Sequence, residues 1–207
     1  ITKERKKIMS NYSNFINDFK TKNLAMAIKA AKLCYLKENL IYSALKKIKD
    51  VNGRLELVKK YPNNVKVFVD YAHTPDALHK TLKFLKDNYG NNISLVFGCG
   101  GDRDKKKRPL MAKIANNNCN KIYITDDNPR NENPKKIRDE LSKYITKGKF
   151  FNISNRSLAV KKAIQNADPQ EILLIAGKGH ENTQIYKNKI IYISDKEILF
   201  HDFFFNT

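Results

Sequence analysis

The sequence is poor in the features that mark secreted, metal-binding and membrane-embedded proteins. It has only three cysteines in 207 residues, Cys34, Cys99 and Cys119. Because they are odd in number, far apart and without a CxxC pair, they predict neither a disulfide framework nor a zinc site. No apolar stretch is long enough to cross a bilayer, and no secretory signal pattern is present. We therefore expect a cytoplasmic protein without membrane insertion.

Acidic residues are also scarce, since 21 aspartates and glutamates face 40 lysines and arginines and leave a formal net charge of +19. Such an excess is typical of proteins that bind nucleic acid, anionic membranes or small anionic substrates. The lysines are scattered over most of the chain, so we expect solvated surface and no nucleic-acid partner. The alternative is a non-enzymatic basic α/β module that binds nucleic acid, which requires clustered basic residues and binding that weakens steeply with salt.

The chain has a helical first part, followed by alternating strands and helices. Apolar residues after Asn23 predict one helix, a shorter helix follows through Leu45, and residues 61–64 predict a turn. Five apolar runs of strand length then alternate with helical patterns, at 65–69, 93–97, 122–125, 150–153 and 172–176. Parallel strands need such crossovers. We predict an α/β fold with a Rossmann-like, mostly parallel sheet and helices on both faces, closed by a hairpin and a last helix.

The turn after the second of these runs is rich in glycine and charge. The strand stops at Gly98, Gly100 and Gly101, and residues 102–105 add dense charge. Glycines permit positive φ and let a ligand approach the backbone closely, and ligands bind at the carboxyl edge of open α/β sheets. The turn is therefore a candidate ligand site, and the alternative is a solvated glycine turn before a basic helix.

Three further polar clusters directly follow apolar runs, at residues 70–75, 125–130 and 177–181. Each cluster alone could be an ordinary turn, because turns are polar in most proteins. Together they offer the guanidinium groups of Arg103 and Arg130, which suit carboxylates, and the carboxylates of Asp127 and Glu181, which suit ammonium groups. This set favours a ligand that carries both charges, such as an amino acid with two zwitterionic ends.

The same segments resemble the Mur ligases over nearly the whole chain. The matching motifs lie at residues 23–27, 53–56, 69–76, 97–105, 125–130 and 176–181. The resemblance implies that residues 1–64 are the C-terminal remnant of the family's central ATP-binding domain, a helical tail whose beginning is cut away. Residues 65–207 are then the C-terminal, amino-acid-binding domain. Since the chain begins with Ile1 and not with methionine, we expect the true start to lie upstream.

The resemblance implies an ATP-dependent amide ligase of peptidoglycan biosynthesis, a monomer that adds meso-diaminopimelate to UDP-MurNAc-L-Ala-D-Glu through an acyl phosphate. Its cofactors are ATP and Mg²⁺, which offsets developing negative charge. A lysine-adding or folylpolyglutamate-type relative is the alternative within the enzyme class. The intact stretch 127–130 argues for diaminopimelate, because an arginine placed for its second carboxylate would face no partner if lysine bound.

Site residues follow from the same resemblance. The meso-diaminopimelate site falls on Arg103, Asp127, Asn128, Pro129, Arg130, Gly177 and Glu181. The ATP-side residues are Asn23, Arg54 and Asp70, and the candidate catalytic residues are Lys105 and His180. A helix N-cap explains Asn23 equally well, and His73 and His180 could each be structural hydrogen bonders. No metal ligand is predicted. The family's phosphate loop, carbamylated lysine and uridine-nucleotide domain have no counterpart here, so we expect this chain alone to bind the amino acid at most.

Overall fold

The computed structural model describes residues 18–48 and 51–200 and divides the chain into two compact units, residues 1–50 and 51–207. The first unit contains helices α1 (Asp18–Leu33) and α2 (Glu38–Leu45), whose apolar residues pack against each other around Ile28 and Ile41. Because α1 begins at Asp18, Asn23 is an exposed residue inside the helix. The N-cap interpretation of Asn23 is therefore wrong.

The second unit is built on a six-stranded sheet with the strand order β1-β2-β6-β3-β4-β5. The strands are β1 (Glu56–Lys60), β2 (Lys66–Asp70), β3 (Ile93–Phe97), β4 (Lys121–Ile124), β5 (Phe150–Asn152) and β6 (Ile172–Ala176), and a separate hairpin comprises β7 (Thr183–Tyr186) and β8 (Lys189–Tyr192). The helices are α3 (Pro75–Tyr89), α4 (Lys107–Asn118), α5 (Pro134–Ser142), α6 (Arg156–Gln165) and α7 (Asp195–Phe200). Strands β2 to β6 are mutually parallel, and only β1 runs antiparallel within this sheet.

Helices cover both faces of the sheet, as predicted. On one face, strand residues such as Leu95 and Leu174 pack with the buried residues of α3, α4 and α5. On the other face, their neighbours Val96 and Ile175 pack with α6 and α7. Successive side chains of a strand point to opposite faces, so a strand covered on both faces must be apolar throughout. This explains why β3 and β6 are buried along their whole length, and the predicted fold class is confirmed.

Three of the helices begin with side-chain caps close to the carboxyl ends of strands. Thr74 Oγ1 accepts a hydrogen bond from Ala77 N at 3.3 Å, and Pro75 is the first helical residue of α3. Asn133 and Asn155 cap α5 and α6 in the same way. A capping oxygen satisfies backbone N–H groups that have no partner inside the helix. The caps therefore fix where each loop at this edge of the sheet ends.

Strand β1 is the main departure from the predicted fold, since we predicted no strand before Val65. It pairs with β2 through the predicted turn at 61–64, and its register shifts between Leu57 and Lys59. The division into domains after residue 64 stays a prediction, although β1 belongs to the sheet of the second unit. Within residues 18–48 and 51–200, no helix is both long and apolar enough to cross a membrane.

Candidate functional site

Loops from four neighbouring parallel strands meet at the carboxyl edge of the sheet. The strand order places β6 between β2 and β3 and places β4 beside β3. The carboxyl ends of these strands and the loops after them carry all the predicted site residues of the second unit except Arg54, which precedes β1: Asp70, Arg103, Lys105, Asp127, Asn128, Pro129, Arg130, Gly177, His180 and Glu181. The remaining predicted residue, Asn23, belongs to the first unit.

The glycine turn after β3 packs directly against the loop after β4. A Cβ atom on Gly98 would lie 2.3 Å from the carbonyl oxygen of Thr125, and one on Gly101 would lie 1.9 Å from that of Pro129. Gly101 N also donates a hydrogen bond to Asn128 O at 2.9 Å. Both glycines are buried, so this is not a solvated turn. Glycine is needed here because the two backbones approach too closely for any side chain.

A buried polar cluster joins the loop after β4 to the loop after β6. Asn128 Oδ1 accepts hydrogen bonds from Lys178 Nζ at 3.2 Å and from Ile185 N at 3.0 Å. Asn128 Nδ2 donates to Glu181 Oε2 at 3.1 Å, and Lys178 Nζ donates to the same oxygen at 3.1 Å. The structure thus brings two of the predicted site residues, Asn128 and Glu181, into contact and adds Lys178, which we did not predict.

The electrostatics of this cluster keep Glu181 ionised. Burial alone raises the pKa of Glu181, but the hydrogen bond and positive charge of Lys178 and the bond from Asn128 outweigh it and lower the pKa below its usual value. The neighbouring Tyr71 has a raised pKa, first because of burial and then because of the negative charge of Glu181. Glu181 was predicted to receive a ligand ammonium group, and it already receives that of Lys178.

The described arginines fall into two classes. Three pair with carboxylates: Arg108 with Glu132 and Glu140, Arg138 with Asp126, and Arg156 with Asp195. Within residues 18–48 and 51–200, Arg54, Arg103 and Arg130 have no carboxylate partner. Arg130 Nη1 instead donates to the carbonyl oxygens of Gly101 at 2.8 Å and Asn128 at 3.3 Å. These two bonds hold the guanidinium group of Arg130 without neutralising it.

Asp127 presents the opposite charge and is also without an ion-pair partner. Its side chain is buried, Oδ1 accepts from Asn128 N at 2.7 Å, and no cationic side chain of the described part of the chain lies within ion-pair distance. A Cβ atom on Gly177, whose φ is +109°, would lie 2.9 Å from Asp127 Oδ2. A buried carboxylate without a cation is costly, so Asp127 is suited to a ligand's ammonium group.

The predicted ATP-side residues of the second unit lie at the neighbouring end of β2. Asp70 accepts three hydrogen bonds, from Leu55 N at 3.0 Å, Tyr71 N at 2.8 Å and Thr81 Oγ1 at 2.7 Å. The Asp70 carboxylate therefore links the turn before β1 to the end of β2 by hydrogen bonds. Arg54 places its guanidinium carbon 4.3 Å from the centre of the Tyr71 ring. A contact of Arg54 or Asp70 with ATP stays a prediction.

The two candidate catalytic residues are exposed and differ in their partners. Lys105 Nζ forms an ion pair with Glu132 at 3.2 Å. The His180 ring stacks on Tyr71 with centroids 5.5 Å apart. His73 Nδ1 lies 2.8 Å from Tyr71 O, which fits the structural interpretation of that histidine. Catalysis by Lys105 or His180 stays a prediction.

Comparison with known proteins assigns these loops to a family. Residues 53–179, which include the loops after β2, β3 and β4 and the start of the loop after β6, match the family model described as Mur ligase, glutamate ligase domain. This chain belongs to the Mur ligase family. Its resemblance to that family, inferred from the motifs, is thereby confirmed.

Individual relatives of this Mur ligase chain agree with the match. A UDP-N-acetylmuramoyl-L-alanyl-D-glutamate–2,6-diaminopimelate ligase of Rickettsia montanensis is 44% identical over 186 residues, which cover 89% of this chain and 38% of the relative. An enzyme of the same name from Haemophilus influenzae is 41% identical over 189 residues, which cover 90% of this chain and 38% of that enzyme. A solved structure of such a ligase has a TM-score of 0.67 at 36% identity and covers 88% of this chain and 38% of its own. These matches do not favour the nucleic-acid-binding or folylpolyglutamate alternatives.

The Mur ligase chain thus spans about 38% of the length of these curated relatives. Within its described residues, no group of three or more His, Cys, Asp or Glu side chains could hold a metal ion.

Two further groups behind the site were missed in the sequence. The fully buried Arg156 donates to Asp195 at 2.6 and 2.8 Å and to Ala176 O at 3.0 Å, directly before Gly177. Burial lowers the pKa of Arg156, but Asp195 outweighs burial and raises it. The sequence signal for Lys178 is its position between two glycines directly after an apolar strand. Nothing in the sequence indicates the Arg156–Asp195 pair, because its members are far apart in the chain.

Proposed function

We propose that this Mur ligase chain supplies the amino-acid site of an ATP-dependent ligase that adds meso-diaminopimelate to UDP-MurNAc-L-Ala-D-Glu. The observation that carries this proposal is the set of unmatched charges at one edge of the sheet. Among the described residues, Arg103 and Arg130 have no carboxylate partner and the buried Asp127 has no cation. Meso-diaminopimelate carries two carboxylates and two amino groups, and it can supply the missing partners.

The proposed reaction joins an amine to a carboxylate that ATP has activated. A carboxylate is a poor electrophile, so the γ-carboxylate of D-glutamate first takes the phosphoryl group of ATP and becomes an acyl phosphate. The unprotonated amine of meso-diaminopimelate attacks the acyl carbon, the nitrogen loses one proton, and the tetrahedral intermediate collapses to an amide with release of the phosphate as hydrogen phosphate. The contribution of this chain is to bind and orient the amino acid, so that binding energy offsets the entropic part of the activation barrier.

Arg130 is the residue that distinguishes meso-diaminopimelate from lysine in this proposal. Its Nη1 is held by the carbonyl oxygens of Gly101 and Asn128, and this fixes the plane of the guanidinium group for a carboxylate. Lysine lacks the second carboxylate and would leave Arg130 without a partner. A site built around a polar group of its substrate rejects analogues that lack that group.

The test is the binding of meso-diaminopimelate and of lysine to this chain and to Arg130→Ala, measured by isothermal titration calorimetry. We expect the wild-type chain to prefer meso-diaminopimelate. We expect Arg130→Ala to lose about 10- to 100-fold in affinity for it, from roughly 1.5–3 kcal/mol of charged hydrogen bonding, with little change for lysine.

Arg54→Ala is the matched control, because Arg54 also lacks a carboxylate partner among the described residues but is predicted to face ATP. It should leave the affinity for meso-diaminopimelate unchanged. In the full-length ligase, Arg130→Ala should impair the use of meso-diaminopimelate far more than the binding of ATP. Equal losses in both, or equal losses for lysine and meso-diaminopimelate, would count against the proposed role.

A further inference from the structure

Lys178 is the one lysine that is fully buried at the carboxyl edge of the sheet within the described residues. Its ammonium group has no access to solvent and donates hydrogen bonds to Asn128 Oδ1 at 3.2 Å and Glu181 Oε2 at 3.1 Å. Burying a lysine is costly unless its charge is paired and hydrogen-bonded. The two bonds explain how the fold tolerates Lys178, and they also determine where its partners lie.

The bond from Lys178 to Asn128 links loops that belong to strands which are not neighbours. Lys178 follows β6 and Asn128 follows β4, and β3 lies between these two strands in the sheet. No ladder hydrogen bond of the sheet therefore joins these two strands directly. A side chain that reaches across the end of β3 can link their loops.

The same contacts determine which way the Asn128 amide faces. Its Oδ1 receives two donors, Lys178 Nζ and Ile185 N, and its Nδ2 donates to the Glu181 carboxylate. In the flipped orientation Nδ2 would face two donors, and Oδ1 would face a carboxylate oxygen. Both contacts would be repulsive, so Lys178 helps to select the orientation in which Asn128 supports Glu181.

We propose that Lys178 is a positioning residue of the amino-acid site, which holds Asn128 and Glu181 in the arrangement that receives the ligand. Because Lys178 has no exposed surface, it acts through these two residues and does not touch the amino acid. This inference rests on the proposed function, since it concerns the same site.

Lys178 also affects how binding at this site depends on pH. The charged and titratable groups that act on Glu181 are Lys178 in its own loop, Tyr71 after β2 and Arg156 in α6, and His180 is its neighbour in sequence. Lys178 is the main group that offsets burial and keeps the pKa of Glu181 low. Without the lysine, burial is offset only by the bonds from Asn128 and Tyr71, so Glu181 takes up a proton at a higher pH than in the wild type.

The experiment compares Lys178→Met with Lys121→Met by titrating meso-diaminopimelate into this chain at neutral pH and at about pH 5. Lys121 is the matched control, because it also bonds two carboxylates, Asp168 at 2.7 Å and Glu171 at 3.0 Å, but at the amino end of the strands. We expect Lys178→Met to lose at least about tenfold in affinity at neutral pH and more at low pH, since a displaced carboxylate misplaces the ligand. Lys121→Met should bind like the wild type at both pH values.

Lys178→Gln covers the case in which the methionine variant does not fold, because glutamine keeps a hydrogen-bond donor without the charge. It should bind more weakly as the pH falls, whereas Lys178→Arg, which keeps the charge, should recover part of the affinity and the flat pH profile. If the wild-type chain does not bind meso-diaminopimelate, the proposed function fails and this inference fails with it. If the wild type binds, and either Lys178→Gln binds equally at both pH values or Lys121→Met loses as much as Lys178→Met, only the inference is overturned.

Discussion

Replacing Gly177 with alanine should damage the proposed amino-acid site through a single contact. The backbone of Gly177 has a φ of +109°, and an alanine Cβ there would lie 2.9 Å from Asp127 Oδ2. Two effects follow from the substitution. The backbone conformation is strained for any residue with a side chain, and the Asp127 carboxylate has to move away.

The sizes of these two effects can be worked out separately. Backbone strain in a glycine-only region costs on the order of 1–3 kcal/mol of stability. Ordinary contact begins at 3.4 Å, so the carboxylate of Asp127 has to retreat by about 0.5 Å. The displacement weakens the charged hydrogen bond that Asp127 is proposed to make with the ligand's ammonium group. Such a bond contributes about 1.5–3 kcal/mol, so losing a large part of it should weaken binding of the amino acid roughly tenfold, or by about 1.4 kcal/mol.

Gly90→Ala separates the two effects. Gly90 ends helix α3 with a φ of +108°, almost that of Gly177, but a Cβ atom there would meet nothing within 4 Å. Both variants should lose stability in urea denaturation followed by circular dichroism. Only Gly177→Ala should lose affinity for meso-diaminopimelate in calorimetry. Equal affinity for the two variants would refute the argument, as would a loss of affinity in Gly90→Ala as large as in Gly177→Ala.

Two further predictions concern the stability of the fold and the reactivity of its thiols. The hydrogen bond from Arg108, together with other donors, outweighs burial and lowers the pKa of Glu132 to about 2. The ionised Glu132 carboxylate therefore stabilises the fold fully above the ordinary pKa of glutamate, and this stabilisation is lost as the pH falls towards 2. Glu132→Gln should therefore lower the free energy of unfolding by about 2 kcal/mol at pH 7 and by much less at pH 3, as measured by urea titration. The same loss of unfolding free energy at both pH values would contradict this. Burial raises the pKa of the Cys99 and Cys119 thiols to about 12, so a thiol reagent should react quickly only with the exposed Cys34. Spectrophotometric titration should count one reactive thiol in the native protein and three after denaturation, and a second fast thiol in the native state would contradict it.

Most of the parallel sheet could be predicted from the sequence because its strands are buried on both faces. The run Ile172–Ala176 is apolar at every position, and the structure places a strand over the same five residues. Strand β1 could not be predicted in this way. It lies at the edge of the sheet and is partly exposed, so its residues Leu57 to Lys60 follow no regular apolar pattern. Its partner β2 supplies the reason for the strand, and the sequence does not show that pairing.

The kinds of charged side chain at the site could be predicted from the sequence, but which of them pair with each other could not. The sequence places Arg130 and Asp127 after an apolar strand, and the parallel topology brings them to one edge with Glu181. Whether a charge is already satisfied depends on contacts between residues about 50 positions apart, such as that of Lys178 with Asn128. The sequence could not distinguish Glu181, which holds an internal cation, from Asp127, which has none among the described residues.

The two outer strands of the sheet, β1 and β5, affect the tendency of the protein to aggregate at high concentration. At one edge, β1 shifts its register between Leu57 and Lys59 and ends with two lysines; at the other edge, β5 has only three residues. Irregular, charged or short edge strands discourage pairing with the sheet of another copy. The net charge of +19 adds repulsion between copies, but salt screens that repulsion. The shapes of β1 and β5 do not depend on ionic strength, so protection against strand-mediated aggregation should persist in salt.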